Sequence, residues 1–212
     1  MIPILLPIAA ALQPATTPEP PKDKPKEQLG ATCAGCAGEA RMLRDGGLYY
    51  DWRFSTRIFG KGERDWKTRY TFDRTISPSL SIGIEHNPSR NEFMPRFTWF
   101  VSPAKGELPS VTIGMTADRL STPKGTAIFS TYSKSGFDNR LTYFASTKWD
   151  TGNNRMYFPF GGNINFSGGI TLQGIYDGNY THWLASFAKD QQTVSLVLAR
   201  GRYLGLHSSI QF

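Results

Sequence analysis

The three histidines are the residues of this chain that come closest to nucleophilic chemistry. They are His86, His182 and His207, and His207 has a serine two residues further on, at Ser209. Residues two apart on a strand share a face, so His207 and Ser209 would lie side by side. That shared face is the polar face of the strand, where such residues are expected without any catalytic role. We therefore predict no catalytic residues and no enzyme.

The two cysteines, Cys33 and Cys36, have a spacing that occurs in several kinds of site. No βαβ pattern surrounds them, as a redox-active pair would require. A zinc site would need two more ligands, and no histidine lies nearby. Haem attachment needs a histidine after the second cysteine, where this chain has Ala37. The pair therefore favours a local disulfide formed in an oxidising compartment, and we predict no metal and no cofactor.

The largest group of candidate functional residues is a set of charged side chains on the polar face of the first predicted strands. Its members are Asp51, Arg53, Arg57, Lys67, Arg69, Asp73, Glu85 and Arg96. If these side chains line a lumen, their positive excess would favour anions, since rings of like charge set ion selectivity. Mutual ion pairs would instead close a narrow lumen. The sequence leaves both interpretations open.

A two-residue rhythm in almost everything after Leu48 predicts the strands that position these charges. Apolar residues alternate with polar ones, which puts them on opposite faces of a sheet. Turn residues divide the segment into eleven strands, at 48–60, 64–76, 79–87, 93–102, 109–119, 125–134, 138–149, 162–176, 179–188, 191–200 and 203–212. An extra strand at 155–160 would give twelve, and a merger of two would give ten. We favour twelve, in one antiparallel up-and-down transmembrane β-barrel of 10–12 strands.

Alternation does not by itself decide which face points outward. A soluble periplasmic barrel that binds an apolar ligand would have the apolar face inside, and this remains the alternative. A barrel of more than eight strands would have a wide apolar lumen that is hard to fill, which favours lipid outside and polar groups inside.

The last strand carries the sharpest motif of the chain. Phe212 is terminal, and Leu206 and Ile210 stand at alternate positions before it. With this ending, residues 48–212 resemble small Gram-negative-type outer-membrane β-barrels, which are porin-like. The resemblance implies that Leu206, Ile210 and Phe212 form the signal read by the barrel-assembly machinery. Ser208 departs from the apolar residue that is usual there.

The chain before the barrel has two further parts. Residues 1–13 are apolar, with Ala9, Ala10 and Ala11 as small residues for cleavage, and are predicted to be a secretory signal peptide. Residues 14–47 form a Pro/Lys-rich linker that contains the cysteine pair and passes through the periplasm, where peptidoglycan or an export complex is a candidate contact.

Composition agrees with a barrel that uses only alternate residues for its apolar face. Hydrophobic residues make up 39% of the 212 residues, while aromatic residues reach 13%. The net charge of +7 is spread along the strands without a dense basic cluster, so nucleic acid is not an expected partner. The predicted role is a passive small-solute channel, or a structural or anchoring barrel with a charged lumen, in the outer membrane.

Overall fold

The computed structural model describes residues 28–31, 40–44, 47–48, 51–61, 67–105, 107–136 and 140–212. Residues 1–27 and the Cys33–Cys36 pair lie outside the described residues, so the predicted signal peptide and disulfide stay predictions. Within the predicted linker, the short strands β1 (Gln28–Ala31), β2 (Ala40–Arg44) and β3 (Gly47–Leu48) form a separate antiparallel sheet. No helix among the described residues is long and apolar enough to cross a membrane.

The rest of the described chain forms one closed antiparallel barrel of twelve strands, as the alternation predicted. The strands are β4 (Trp52–Phe59), β5 (Thr68–Ser77), β6 (Leu80–Asn87), β7 (Glu92–Ser102), β8 (Ser110–Thr116), β9 (Ala127–Gly136), β10 (Leu141–Asp150), β11 (Arg155–Tyr157), β12 (Phe160–Asn165), β13 (Ile170–Tyr176), β14 (Thr181–Lys189), β15 (Gln192–Ala199) and β16 (Tyr203–Gln211). Each pairs with the next one along the chain, except that β11 and β12 both pair with β10, and β16 pairs with β4 to close the ring.

The labels β11 and β12 belong to one interrupted barrel strand. β11 pairs with Lys148–Asp150 of β10, and β12 pairs with Leu141–Ala145. Both lie along the same edge of β10, because β9 pairs along its whole other edge. The interruption falls at Pro159, which has no N–H to donate and whose carbonyl accepts a hydrogen bond from Ser146 N at 2.8 Å.

The twelfth strand therefore arises differently from the prediction. The single strand predicted at 162–176 is wrong, because Ser167–Gly169 forms a 3₁₀ turn that separates β12 from β13. Gly168 and Gly169 have φ of 78° and 79°, a conformation that glycine adopts without steric cost. The extra segment predicted at 155–160 then joins β12 in one strand. The count of twelve is confirmed, although the boundaries shift.

The two ends of the barrel are distinguished by the chain termini. Trp52 and Phe212 exchange backbone hydrogen bonds of 2.8 and 2.9 Å at one end, here called the terminal end. The opposite end, here called the distal end, carries the connections after β4, β6, β8, β10, β13 and β15. The first barrel strand begins at Trp52, four residues later than the predicted boundary at 48.

Large apolar side chains cover the outside of the barrel. Phe54, Ile84, Trp183, Leu206 and Ile210 are all exposed, and they alternate with buried polar neighbours. This outward apolar surface and the closed hydrogen-bonded ring satisfy the two requirements of a membrane-spanning barrel. The soluble alternative needs the opposite arrangement, with apolar groups inside.

Several inward aromatic rings lie on glycines of the neighbouring strand. Phe59 faces Gly205, Phe129 faces Gly114, and Phe144 contacts Gly161, each from the adjacent strand. A Cβ at Gly205 would lie 2.4 Å from Phe59 Cδ1, well inside van der Waals contact. The absence of a side chain at these glycines therefore lets bulky rings fit inside a narrow barrel.

Replacing Gly205 with alanine is expected to destabilise the barrel by about 1–3 kcal/mol, the usual cost of overpacking. Phe59 is fully buried and has no free space into which to move. Urea-induced unfolding followed by tryptophan fluorescence measures the loss. Gly60→Ala is the matched control, because nothing lies within 4 Å of its added Cβ. Equal stability of the two variants would contradict the packing argument.

Candidate functional site

The interior of the barrel is lined by charged and hydroxyl side chains. The buried charged residues are Arg53, Arg57, Arg69, Asp73, Glu85, Arg96, Asp118, Arg119, Lys148, Asp150 and Asp177. They come from the inward positions of the strands and from loops at the distal end, since alternate residues of each strand point inward. Buried charges are stable only when they are paired or hydrogen-bonded, so their contacts decide what the interior does.

The structure places six of the eight predicted lumen charges inside the barrel. Arg53, Arg57, Arg69, Asp73, Glu85 and Arg96 are each at most 3% exposed. Asp51 and Lys67 do not join them. These two residues are exposed. Each directly precedes the first residue of its strand, β4 or β5, and so lies at a rim of the barrel.

One ion-pair cluster joins β4, β5 and β7 around Asp73. The carboxylate of Asp73 accepts hydrogen bonds from Arg53 Nη2 at 2.7 Å and Arg53 Nε at 3.2 Å. Arg96 Nε lies 3.1 Å from the other oxygen of Asp73. Gly83 stands between Asp73 and Arg96 in the sheet register, and a Cβ there would lie 2.5 Å from Asp73 Oδ1. One carboxylate thus serves two buried arginines.

A second cluster joins the wall of the barrel to the connection between β8 and β9. Asp118, in that connection, is held by Arg57 through two hydrogen bonds of 2.7 and 2.5 Å. Arg69 lies 3.5 Å from the same carboxylate and donates a 2.9 Å hydrogen bond to Glu85. Glu85 also accepts from Thr116 Oγ1 at 2.8 Å. The cluster therefore ties this connection to β4, β5 and β6.

This connection, residues 117–126, folds into the barrel and is called the interior loop. All residues from 117 to 122 are buried, whereas Pro123 and Lys124 are exposed. The loop turns locally because Asp118 O accepts from the N–H groups of Ser121 and Thr122, and Asp118 Oδ1 accepts from Leu120 N at 3.0 Å.

Hydrogen bonds from several sides of the barrel hold the interior loop. Lys148 Nζ donates to Ser121 O at 2.8 Å, and Arg200 Nη2 donates to Leu120 O at 3.3 Å. Arg119 forms an ion pair of 2.8 Å with Glu92. The side chain of Leu120 packs in the buried apolar cluster of Phe59, Phe144, Ile175, Leu184, Val197 and Ala199. The loop thus contacts opposite walls of the barrel near the distal end.

Burial alone would raise the pKa of the Asp118 carboxyl. The positive charges of Arg57 and Arg69, with hydrogen bonds from Arg57 and from Leu120 N–H, outweigh burial and lower this pKa from 3.8 to about 2. A carboxyl whose pKa is lower in the folded state stabilises that state above its unfolded pKa. That contribution is lost as the pH falls through the folded value.

The interior loop is therefore expected to keep its contacts with the barrel wall from neutral pH to about pH 4. These contacts should loosen between about pH 4 and pH 2. Conductance of the reconstituted barrel, recorded across that range, measures the opening. Asp118→Asn should remove the pH dependence in this window. An opening between pH 7 and 5 would instead implicate a histidine and contradict the assignment to Asp118.

The three histidines lie in different environments of the barrel. His182 and Asp177 are buried, and their side chains lie 2.9 Å apart, while His182 Nδ1 accepts from Arg200 N at 3.3 Å. His86 lies on the outer face and stacks on Phe93, with ring centroids 4.0 Å apart. His207 is buried inside the barrel, on the same face as Ser209. Among the described residues, no three metal-ligating side chains are grouped to hold an ion.

Leu206, Ile210 and Phe212 all point outward from the closing strand and its end, and all three are exposed. They are accessible to lipid or to another protein. Whether they are read during assembly stays a prediction.

The interior loop is a part of the candidate site that the sequence pattern does not predict. Its residues were divided between strands predicted at 109–119 and 125–134, with only a short turn between them. A usable signal was present at Ala117–Asp118–Arg119–Leu120, where polar and apolar residues stop alternating before the turn residues Pro123 and Gly125.

No protein-family model matches this chain, and no curated protein matches it. In a comparison with solved structures, the chain is similar to a triple mutant of the porin of Rhodopseudomonas blastica, at 13% sequence identity and a TM-score of 0.35. The match covers 68% of this chain and 55% of the porin, so the chain spans about half the length of the porin that it matches.

Proposed function

We propose that this protein is an outer-membrane β-barrel that acts as a passive channel for small solutes and that the interior loop holds it closed. The outward apolar surface and closed ring support insertion into a bilayer. The charged interior supports a water-filled path once the loop has moved, because the lumen of a conducting barrel is polar. The ion pair between Asp118 and Arg57 carries the proposal.

The wall beside the loop indicates which solutes would pass. On β4–β7 the buried charges are Arg53, Arg57, Arg69 and Arg96 against Asp73 and Glu85, four cations to two anions. Asp118 offsets part of this excess while the loop is inside. When the loop withdraws, this local positive excess faces the lumen; with Lys148, Asp150 and Asp177 elsewhere in the interior, five buried cations stand against four buried anions. Rings of like charge select ions of the opposite sign. The open channel would therefore prefer small anions.

Planar-bilayer recordings under a salt gradient test this proposal. The wild-type protein is expected to conduct rarely, and a variant with residues 118–124 replaced by a Gly/Ser linker is expected to conduct persistently with an anion-selective reversal potential. Lys124→Gln, a change in the exposed part of the same loop, is the matched control and should behave as wild type. Cation selectivity in the loop variant would contradict the charge argument.

A structural or anchoring barrel is the second candidate, and the density of buried ion pairs favours it. Such a barrel needs no path through its interior, and paired charges fill the space. No conductance steps from either the wild type or the loop variant, at any voltage, would establish this second role. Recovery of the protein from cells in the membrane fraction, with heat-modifiable gel mobility, is expected under both candidates; a freely soluble monomer would contradict both.

A further inference from the structure

The outer wall of the barrel is interrupted by a groove over β12–β15. It has a volume of about 730 Å³ and opens toward the surroundings of the barrel. Its floor includes Gly162 and Gly174, which are cross-strand partners, and Ala185 on β14. Its apolar walls are formed by Leu141, Phe160, Ile164, Leu172, Tyr176, Trp183, Leu196 and Leu198.

The groove is held open by rigid side chains. The ring of Trp183 lies against Gly174, so that a Cβ at this glycine would come within 2.9 Å of Trp183 Cζ3. Phe160 and Tyr176 contact each other on the other side, with ring centroids 5.3 Å apart. Aromatic side chains in such contacts lose little further entropy when a ligand binds, so the groove is preformed.

A second cavity of about 460 Å³ lies toward the terminal end along the same strands. Its apolar wall is Phe187, Val194 and Ile210, and its polar wall is Lys189, Asp190, Gln191 and Gln192. On β14 the residues Trp183, Ala185, Phe187 and Lys189 follow one another on the outward face. The apolar groove therefore leads to a polar cavity that contains one cation, one carboxylate and two amides.

We propose that the groove and the cavity together bind one phospholipid that has a zwitterionic headgroup with a primary ammonium, phosphatidylethanolamine. An acyl chain fits the groove, whose walls are apolar. The ammonium of Lys189 complements the phosphate, the carboxylate of Asp190 complements the headgroup ammonium, and Gln191 and Gln192 supply amide hydrogen bonds. This binding rests on the proposed location in a bilayer and adds a specific lipid to it.

Native mass spectrometry in a mild detergent tests the proposal with phosphatidylethanolamine, phosphatidylglycerol and diacylglycerol of identical acyl chains. The wild-type barrel is expected to retain phosphatidylethanolamine over the other two lipids. Ala185→Leu fills the groove and should lower the retention of all three lipids about tenfold. Ser130→Leu adds similar outward bulk on β9, away from both cavities, and should leave retention unchanged.

The headgroup contacts have their own variants. Lys189→Gln and Asp190→Asn are each expected to lower the preference for phosphatidylethanolamine over diacylglycerol about tenfold, the effect of losing one charged hydrogen bond. Heat-modifiable mobility confirms that each variant is folded. Equal retention of the three lipids by the wild type, or equal retention by Ala185→Leu and Ser130→Leu, would overturn the proposal. So would a dimer that Ala185→Leu abolishes, because the occupant would then be a second copy.

Lipid retention is measured without any conductance recording, so the channel proposal and the lipid-site proposal can fail separately. A barrel that never conducts but retains phosphatidylethanolamine overturns the channel alone. A barrel that conducts but retains the three lipids equally overturns the lipid site alone.

Discussion

Replacing Asp118 with asparagine is expected to open the barrel and to lower its unfolding free energy by about 3 kcal/mol, the range found when one partner of a buried ion pair is removed. Arg57 would then lose the carboxylate that it holds through two hydrogen bonds, while Arg69 would keep Glu85. The interior loop would lose its strongest attachment to β4. Rare conductance should therefore become frequent.

Two measurements separate these effects. Urea unfolding in detergent micelles, followed by tryptophan fluorescence, gives the change in stability, and planar-bilayer recording gives the open probability. Glu107→Gln is the control, because it removes a carboxylate whose ion pair with Lys134 is exposed at the terminal end. It should change neither quantity, since exposed pairs contribute little.

A double-mutant cycle then assigns the effect to the pair. Arg57→Gln alone should cost a similar free energy because Asp118 would be left with the longer contact to Arg69 and the hydrogen bond from Leu120 N in place of its two short bonds from Arg57. The double variant Arg57→Gln with Asp118→Asn should be more stable than the sum of the two single effects predicts. Strict additivity would show that the two side chains act independently and would contradict the loop-retaining role of this pair.

The predicted and the observed folds differ because alternation gives information on the faces of a strand but not on its ends. Alternation predicts which residues of a strand share a face, and it correctly gave a twelve-stranded barrel. It does not record where strands end. Gly168 and Gly169 have no side chain that could break the alternation. The alternation therefore predicts a continuous strand where the chain forms a turn. Pro159 interrupts hydrogen bonding while its neighbours stay in line with β10.

The site was predictable only where it lies on strands. Arg53, Arg57, Arg69 and Arg96 are inside because each occupies an inward position of a regular strand. Asp51 and Lys67 continue the same rhythm, but each directly precedes the first residue of its strand, at a rim of the barrel, where the side chain is exposed. Contacts between distant parts of the chain, such as Arg57 with Asp118, 61 residues apart, leave no periodic trace in the sequence.

The interior loop is a second region whose position cannot be predicted from alternation. From Thr116 to Thr122 every residue is buried, so polar and apolar side chains no longer separate by position. A loop of this composition resembles an exposed turn when it is judged by sequence alone. Only the surrounding walls, with Arg57, Lys148 and Arg200 directed at it, make its burial favourable.

Replacing Asp73 with asparagine is expected to lower the unfolding free energy by about 4 kcal/mol without raising conductance. Asp73 is the carboxylate for two buried arginines, Arg53 and Arg96, so one substitution affects two ion pairs. An amide can accept a hydrogen bond but cannot neutralise either charge. Because the contacts of Asp73 with Arg53 and Arg96 lie among β4, β5 and β7, the interior loop keeps its own attachments.

The contrast between Asp73→Asn and Asp118→Asn therefore distinguishes stability from gating. Both variants remove one buried carboxylate that pairs with arginines of the same wall, and both should unfold at lower urea concentrations than the wild type. Only Asp118→Asn should raise the open probability, because only Asp118 belongs to the loop. Adding Arg53→Gln to Asp73→Asn should recover part of the lost stability, since one uncompensated charge is then gone. If Asp73→Asn opened the barrel as often as Asp118→Asn, conductance would follow general loosening of the barrel, and the interior loop would not be its gate.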